Sequence, residues 1–329
     1  MNIVLSFFPV LLFLTFLYLF DSFKLVRIKI LTMCLMWGGL SVLICYFLNT
    51  FILNWVSFEM LTRYIAPEIE ETCKAIFIIY LVSKKKIGFM IDAAIYGFAI
   101  GAGFSFMENI YYLINTTSEY DLMTWIIRGF GTALMHGGCT SLIFVFFIGG
   151  INRINKMFLV IIPGLLLAFF IHSGFNHFFL NPLLQTMLIF ISLPIAYVFV
   201  FGFGNTKLQQ WLEIEFNSEV EILSMILQGA FNSTKAGLYL LSIKDRFAPE
   251  TIVDMYCYVS LYLELSIKAK RNLMLKENGF PIILEEDIQQ KLKELSVLRK
   301  RIGKIAELAL APLIRMDHRN LWKLNQLKV

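Results

Sequence analysis

Residues 67–74 read Pro67-Glu68-Ile69-Glu70-Glu71-Thr72-Cys73-Lys74, which places charged side chains at the start of an otherwise apolar stretch. Proline is tolerated in the first turn of a helix, where its missing N–H has no partner to lose, so we expect a helix to begin at Pro67. Glu70 and Glu71 then lie in the first turn, and Lys74 faces them one turn later. Because ionisable groups are costly inside a membrane, a spanning helix of this kind would indicate a functional site.

The composition around this stretch is that of an integral membrane protein. The 329 residues are 58% apolar and 16% charged, whereas a soluble domain has about 45–50% apolar and about 25% charged residues. Apolar runs long enough to cross a bilayer, about 20 residues each, occur near 3–20, 30–50, 68–83, 87–114, 123–149, 157–180 and 183–203. We therefore predict an all-α, polytopic membrane helix bundle of about seven spans.

Charge divides the chain into two predicted domains. Most of the Lys, Arg, Asp and Glu residues fall in 205–329, so we predict a transmembrane bundle over 1–204 and a helical domain over 205–329. Apolar residues at helical spacing predict helices over Glu219–Phe231, Pro249–Glu277 and Leu284–Leu310. The modest net charge of +5 requires no nucleic-acid partner.

The basic residues of the short loops predict the orientation. Lys24–Lys29, Lys84–Lys86 and the pair Arg153 and Lys156 follow the first, third and fifth spans, whereas the alternate loops carry little positive charge. Lys and Arg are enriched in cytoplasmic loops. We therefore expect the N-terminus outside and the C-terminal domain in the cytoplasm.

Four sets of polar residues interrupt the apolar runs. They are Glu70-Glu71-x-x-Lys74, Phe104-x-x-x-Glu108-Asn109, the stripe from Arg128 to His136, and His172-x-x-x-Asn176. With a rise of about 1.5 Å per residue in upright antiparallel helices, most of these groups reach the outer half of the membrane, with His136 deeper. Glycines such as those of Gly97-x-x-x-Gly101 permit the close helix packing that this convergence needs.

Each polar residue also has a structural explanation. A single intramembrane His or Asn is often a hydrogen-bonding contact between helices. Glu70 and Glu71 would be favourable near any helix N-terminus, and Lys74 and Arg128 could be counter-ions. The functional interpretation depends on the sets meeting at one place.

With these motifs the chain resembles the PrsW family of membrane-embedded proteases, which are similar to the CAAX-processing and bacteriocin-processing membrane proteases. The resemblance covers roughly residues 60–180 and is carried by the paired glutamates, the FxxxEN motif, His136 and HxxxN. The chain departs from relatives at two positions, since CAAX-processing relatives have His where Glu108 stands and many have Asp where Asn176 stands. The C-terminal domain carries no motif of the family.

The resemblance implies peptide-bond hydrolysis in a bacterial cytoplasmic membrane, with a membrane-anchored protein cut near its extracytoplasmic end. It also raises a role in envelope-stress signalling, as in the namesake branch, and the cytoplasmic domain could recruit a partner. A carboxylate can activate water as a general base. We expect Glu70 to be the base, Glu71 to support it and Glu108 to orient the water.

The remaining motif residues are expected to assist. His172 and Asn176 would stabilise the oxyanion, and His136 would complete the catalytic set. Supporting roles are expected for Lys74, Phe104, Asn109 and Arg128. We expect no metal or other cofactor, because no HExxH is present. Zinc is the alternative, since two His and one Glu form a known catalytic zinc set.

Two other classes of protein use similar residues. Intramembrane Glu, Lys, Arg and His also serve proton relays, so an ion-coupled transporter is one alternative, although the sequence shows no inverted repeat. The other alternative is an inactive membrane scaffold. Activity on a tethered substrate would separate the three.

Overall fold

The computed structural model describes residues 2–115, 122–151, 157–282, 285–314 and 318–327, and within these ranges the chain forms helices and no strand. The membrane part contains α1 to α7, and the helices that follow are α8 to α11. In chain order they are α1 Asn2–Leu19, α2 Ile28–Ile52, α3 Ala66–Ser83, α4 Met90–Asn115, α5 Leu122–Ile151, α6 Met157–Asn176, α7 Pro182–Leu227, α8 Lys235–Ile243, α9 Pro249–Glu277, α10 Ile288–Ala309 and α11 His318–Gln326.

The all-α membrane fold is confirmed, whereas the number of spans is not. Among the described residues, 5 helices are long and apolar enough to cross a membrane, namely α2, α4, α5, α6 and α7. The apolar stretch Ile3–Leu19 is shorter, and α3 carries four charged residues in its first half, Glu68, Glu70, Glu71 and Lys74. The count of about seven spans therefore stays a prediction, as does the orientation. Residues 116–121 and 152–156, which include Arg153 and Lys156, lie outside the described residues.

One helix boundary was predicted wrongly. The seventh apolar run was expected to end near residue 203, with a separate helix over Glu219–Phe231, but α7 continues from Pro182 to Leu227. The sequence between these runs contains strong helix formers such as Leu, Gln and Glu, so nothing in it stops the helix. Pro249–Glu277 is a helix, as predicted, and it ends before Gly279, whose φ is +72°.

The membrane part contains two π-helical turns, which the sequence pattern did not predict. Leu61–Ile65 precedes α3, and Ile127–Thr132 lies inside α5. A π-helical turn holds one more residue than an α-helical turn, so it rotates the side chains on either side of it relative to each other. Both turns adjoin the polar motifs.

Glycines bring α4 and α5 into close contact, as the sequence predicts. A Cβ added at Gly101 would lie 2.2 Å from the carbonyl oxygen of His136, and one at Gly97 would lie 2.7 Å from the α-carbon of Ser141. Both distances are far below van der Waals contact with the backbone. The glycines of α4 therefore set the position of His136.

The chain folds into two compact units, Met1–Asn205 and Thr206–Val329. The second unit packs α8, α9, α10 and the end of α7 around one apolar core, in which Met255, Leu265 and Ala306 are fully buried. Helix α10 is kinked at Gly303, where φ is 75°. The predicted start of this helix, Leu284, lies outside the described residues.

Candidate active site

The first turns of α3 place the paired glutamates. The helix begins at Ala66 with Pro67 in its first turn, one residue before the predicted start. Glu71 and Lys74 are buried, with 1% and 0% of their surface exposed, while the Glu70 side chain is 16% exposed. The two adjacent glutamates therefore have different surroundings, because consecutive helical residues point about 100° apart.

Glu71 is the centre of the buried contacts. Its Oε1 atom lies 2.6 Å from the Lys74 ammonium and 2.8 Å from Nδ1 of His172. A buried carboxylate needs such partners, since an unpaired charge in an apolar medium is very costly. The second oxygen, Oε2, is buried and makes no hydrogen bond to any residue that the structure describes.

His136 lies beside Lys74 and Glu108. Its Nδ1 atom is 3.1 Å from the Lys74 ammonium, and its Nε2 atom is 3.4 Å from a Glu108 oxygen. An ammonium group only donates hydrogen bonds, so Nδ1 of His136 accepts and the ring proton is on Nε2, where it faces Glu108. This assignment follows from the hydrogen-bond partners.

His172 has the opposite arrangement. An ionised carboxylate only accepts, so Nδ1 of His172 donates its proton to Glu71. The Nε2 atom then carries a lone pair, and it lies 3.8 Å from Oε2 of Glu70. A carboxylate that fixes one imidazole nitrogen and leaves the other as a base is a common arrangement at catalytic and metal-binding histidines.

Helices α4 and α5 contribute an ion pair on the far side of His136. Arg128 lies in the π-helical turn, and its Nη2 atom is 3.3 Å from Oε2 of Glu108. Its Nε atom donates to Oδ1 of Asn109 at 2.9 Å, and Asn109 donates in turn to the carbonyl of Ser6 at 2.9 Å. The guanidinium also stacks 3.7 Å from the ring of Tyr112. Asn109 therefore supports the site by holding Arg128.

Phe104 forms an apolar wall of the same site. Its ring centroid lies 4.9 Å from that of His136 and 4.5 Å from the Lys74 ammonium. An aromatic face attracts a cation, and the effect grows when water is excluded. The Phe and the Glu of the FxxxEN motif thus approach His136 from the same helix.

The structure brings together seven of the predicted residues, which we call the membrane cluster. Its members come from regions of the chain that are separated by tens of residues. They are Glu70, Glu71, Lys74, Glu108, Arg128, His136 and His172.

Some polar atoms of the membrane cluster are buried without a hydrogen bond. Oε2 of Glu71, Oε2 of Glu108 and Nη2 of Arg128 are in this state, although the last two face each other as an ion pair. Such atoms are uncommon in stable cores and are often explained by a bound water, an ion or a reacting group. Oε2 of Glu71 therefore has the capacity to accept a hydrogen bond from a further polar molecule.

Three of these residues could also hold a metal ion. Glu70, His136 and His172 each offer one ligand atom, and these atoms lie within 4.8 Å of one another. Two imidazoles and a carboxylate fit zinc in donor type, and the Glu71 contact would orient His172 as a ligand. Lys74 opposes the ion, because its ammonium engages the lone pair on Nδ1 of His136. Zinc binding through Nε2 of His136 would require that contact to change.

Asn176 is not part of these contacts. Its side-chain amide donates to the carbonyl of Thr62 at 3.0 Å, and the hydroxyl of Ser173 donates to the carbonyl of Arg63 at 2.6 Å. A π-helical turn leaves backbone groups in need of partners, and both bonds fasten that turn to α6. The oxyanion role of Asn176 stays a prediction, and the bond to Thr62 uses one of its two amide hydrogens.

A groove leads along α3 and α6 to the membrane cluster. It has a volume of about 330 Å³. Glu71 is shared between the groove and the cluster, whereas Glu68 is exposed. The lining residues are Glu68, Glu71, Thr72, Ile162, Leu165, Leu166 and Phe169.

Sequence reasoning assigned no role to Tyr112 or to the apolar residues of the groove. Tyr112 stacks on Arg128, and its position four residues after Glu108 puts both on one face of α4. The spacing of four residues between Glu108 and Tyr112 could therefore have identified Tyr112 from the sequence. Leu165 and Leu166 resemble any lipid-facing residues in sequence, so only the packing of α3 against α6 distinguishes them.

Comparison with known proteins gives one match. The family model described as "PrsW family intramembrane metalloprotease" matches residues 27–204, which contain every residue of the membrane cluster. No curated protein and no solved structure matches the chain.

Proposed function

The chain belongs to the PrsW family of intramembrane metalloproteases, and from this premise we propose that it hydrolyses a membrane-anchored protein with water activated by Glu70. The observation that carries the proposal is the facing pair of Glu70 and the lone-pair nitrogen of His172, 3.8 Å apart. A water molecule bonded to both would donate one hydrogen to each. Nδ1 of His172 donates its proton to Glu71 at 2.8 Å. This contact leaves Nε2 unprotonated and directed toward Glu70.

The proposed reaction takes place at the membrane cluster in two steps, attack by water and collapse of the intermediate. Glu70 removes a proton from the water as its oxygen attacks the scissile carbonyl carbon, and the carbonyl π electrons move to the oxygen. When the tetrahedral intermediate collapses, the C–N bond breaks and the proton passes to the leaving nitrogen. The immediate products are a new carboxylic acid and a new amine, and transfer of the acid proton gives a carboxylate and an ammonium group. Glu108, held by Arg128 at 3.3 Å, would orient the water.

The negative oxygen of the intermediate needs donors and positive charge. We assign the donor to Asn176, whose amide has a second N–H besides the one donated to the carbonyl of Thr62. The buried ammonium of Lys74 and the guanidinium of Arg128 contribute positive potential, which acts strongly where water is excluded. His172 acts here as an acceptor from water, in place of the oxyanion donor expected from the motif.

Zinc is the second candidate, favoured by the family description and by the group Glu70, His136 and His172. When bound, zinc would lower the pKa of its water and polarise the scissile carbonyl. If zinc binds, the same contact with Glu71 would orient His172 as a ligand of the zinc ion. Metal analysis of the purified protein, with cleavage measured before and after a chelator, separates the two mechanisms. We expect cleavage without stoichiometric zinc; activity that disappears with the metal and returns with zinc would contradict this.

The groove between α3 and α6 supports a membrane-anchored substrate. Its α6 wall is apolar, with Ile162, Leu166 and Phe169 one turn or two apart on one face. An apolar segment could lie there with its backbone beside Glu71. Because the groove joins the cluster along the side of the helices, we propose that the scissile segment enters sideways from the bilayer.

The groove can be tested with neighbouring residues of α6. Leu166 lines the groove, whereas Leu167 does not, and both are exposed. Leu166→Trp should slow the cleavage of a transmembrane substrate about tenfold or more, a loss of about 1.4 kcal/mol. Leu167→Trp should leave the rate unchanged. Equal rates in both variants would exclude this entry path.

The proposed site is tested with purified protein and a tethered transmembrane substrate. Cleavage by the wild type should be lost in Glu70→Ala, Glu71→Ala and His172→Ala. Cleavage that survives all three substitutions would rule out the site. If the wild type cleaves no membrane-anchored substrate, the transporter and scaffold alternatives gain support instead.

A further inference from the structure

The second compact unit contains a cavity of about 830 Å³ that the proposed hydrolysis does not use. Cavities that bind small molecules usually measure about 300–1,000 Å³ and combine apolar walls with a few placed polar groups. One wall is a face of α7, and the others come from α8, α9 and residues near α11. The lining residues include Glu215, Ser218, Met225, Tyr262 and Leu263.

The α7 wall carries carboxylates that are held from behind by buried lysines. Glu215 and Glu219 line the cavity, while Lys270 and Lys323 have 0% exposure. Glu219 binds both lysines, at 3.0 Å and 2.9 Å, and it accepts a hydrogen bond from Ser266 at 2.5 Å. We call Glu215, Glu219, Lys270 and Lys323 the ion quartet.

Glu215 makes fewer close polar contacts than Glu219. Among the described residues its ion pairs both use Oε2, which is 3.2 Å from Lys270 and 3.9 Å from Lys323. The Glu215 side chain is 21% exposed. Its other oxygen, Oε1, can therefore accept a hydrogen bond from a molecule in the cavity.

The buried lysines explain why this carboxylate stays at the wall. Burial of two ammonium groups is costly, and it is offset only by close partners. Because Lys270 and Lys323 approach the glutamates from the protein side, the carboxylates cannot turn inward without breaking these contacts. The ion quartet thus fixes an acidic group at the edge of a cavity that has both apolar and polar lining residues.

We propose that the cavity binds a small organic amine, with its ammonium on Glu215 and its apolar body against Met225, Leu263 and Tyr262. The ion quartet is balanced, and Glu221 and Lys235 on the described lining have opposite charges, so the preference for an amine rests on the acceptor Oε1 of Glu215. A protonated amine would form a charge-assisted hydrogen bond, which is stronger than a neutral one. The site is independent of the membrane cluster and of the proposed hydrolysis.

The test uses two probes that share a ring and differ in head charge, tryptamine and indole-3-propionate. Binding to the full-length protein in lipid nanodiscs is measured by saturation-transfer NMR, with empty nanodiscs as the blank. Tryptamine should bind at least about tenfold more tightly than the acid, because only the amine gains the charged hydrogen bond. Equal affinities, or no tryptamine binding above the blank, would overturn the proposal.

Two matched pairs of variants locate the site. Ser218 lines the cavity and is exposed, whereas the exposed neighbour Asn217 does not line it. Ser218→Trp should weaken tryptamine binding about tenfold or more, and Asn217→Trp should leave it unchanged. Glu215→Gln should remove the preference for the amine, while the exposed Glu213→Gln should keep it. Tryptamine affinity that is unchanged by Ser218→Trp would also overturn the proposal. This result can be obtained even if Glu215→Gln fails to fold.

Discussion

The membrane cluster and the ion quartet both bury lysines against glutamates, yet they differ in what surrounds those ions. In the ion quartet, two lysines form ion pairs with two glutamates, and each oxygen of Glu219 contacts one lysine. In the membrane cluster, two imidazoles lie among the ions, and Oε2 of Glu71 has no hydrogen-bond partner within the described part of the chain. The ion quartet balances two ammonium groups against two carboxylates and leaves only Oε1 of Glu215 as an acceptor at the cavity wall, whereas the membrane cluster also contains two imidazoles that can accept a proton.

This difference shows how buried charge can serve structure or chemistry. A balanced set of ions holds side chains in place and gains nothing from a further proton acceptor. An imidazole whose one nitrogen is fixed by a carboxylate, as in the Glu71–His172 pair, leaves its other nitrogen free to accept a proton. We therefore expect the membrane cluster to govern activity and the ion quartet to govern local stability and binding.

The largest expected effect is on the rate of cleavage. Glu71→Gln keeps the size of the side chain but removes the charge that holds His172, so we expect a loss of about 10²–10⁴ in rate, the usual contribution of acid–base groups. The matched control is Asp92→Asn, because Asp92 is a buried carboxylate of the same unit that accepts from the backbone N–H of Gly88 and Phe89. Its activity per folded molecule should be unchanged. Equal losses in both variants would remove the distinction between the reactive cluster and other buried acids.

The next effect is on stability and compares one lysine from each set. Lys74→Met leaves the buried Glu71 without its ammonium, and breaking such a pair costs about 3–5 kcal/mol. Lys323→Met should cost much less, since Glu219 keeps Lys270 at 3.0 Å and the methionine packs as an apolar side chain. The apparent unfolding temperature in one detergent at one heating rate measures both. A larger drop for Lys323→Met would reverse the comparison.

The smallest effect is a pH dependence that arises in the ion quartet. Burial lowers the pKa of Lys323 from 10.5 to about 8, so between these values the unfolded chain binds more protons than the folded protein. Stability therefore rises with pH across this interval, by up to about 3 kcal/mol for this group. The wild type should gain stability relative to Lys323→Met between pH 8 and 10.5. A constant difference between the two proteins would show that Lys323 does not titrate there.

The sequence predicted the fold class and the seven residues of the membrane cluster, because the apolar runs and the polar motifs are both visible as local patterns. Apolar runs of membrane length define most of the helices, and the motif spacing puts Glu108 and Asn109 together on α4. The close approach of α4 and α5 was also predictable from Gly97 and Gly101, since glycine permits backbone contact.

The internal geometry of the site was not predictable in this way. With upright, regular helices, His136 was predicted to lie deeper in the membrane than the other polar groups. Its ring centroid nevertheless lies 4.7 Å from that of His172. The π-helical turn Ile127–Thr132 changes the position of this segment, and no propensity rule indicated it. The bond of Asn176 to Thr62 and the burial of Lys270 and Lys323 likewise depend on tertiary packing.

The most direct test of the central claim is cleavage of a tethered transmembrane substrate by purified protein in water enriched in heavy oxygen. Mass spectrometry then identifies the cut position and the oxygen in the new carboxyl group. We predict a cut near the extracytoplasmic end of the substrate, heavy oxygen in the new carboxylate, and neither product with Glu70→Gln. Fragments of the same mass from wild type and Glu70→Gln would contradict the assignment of the membrane cluster as the hydrolytic site.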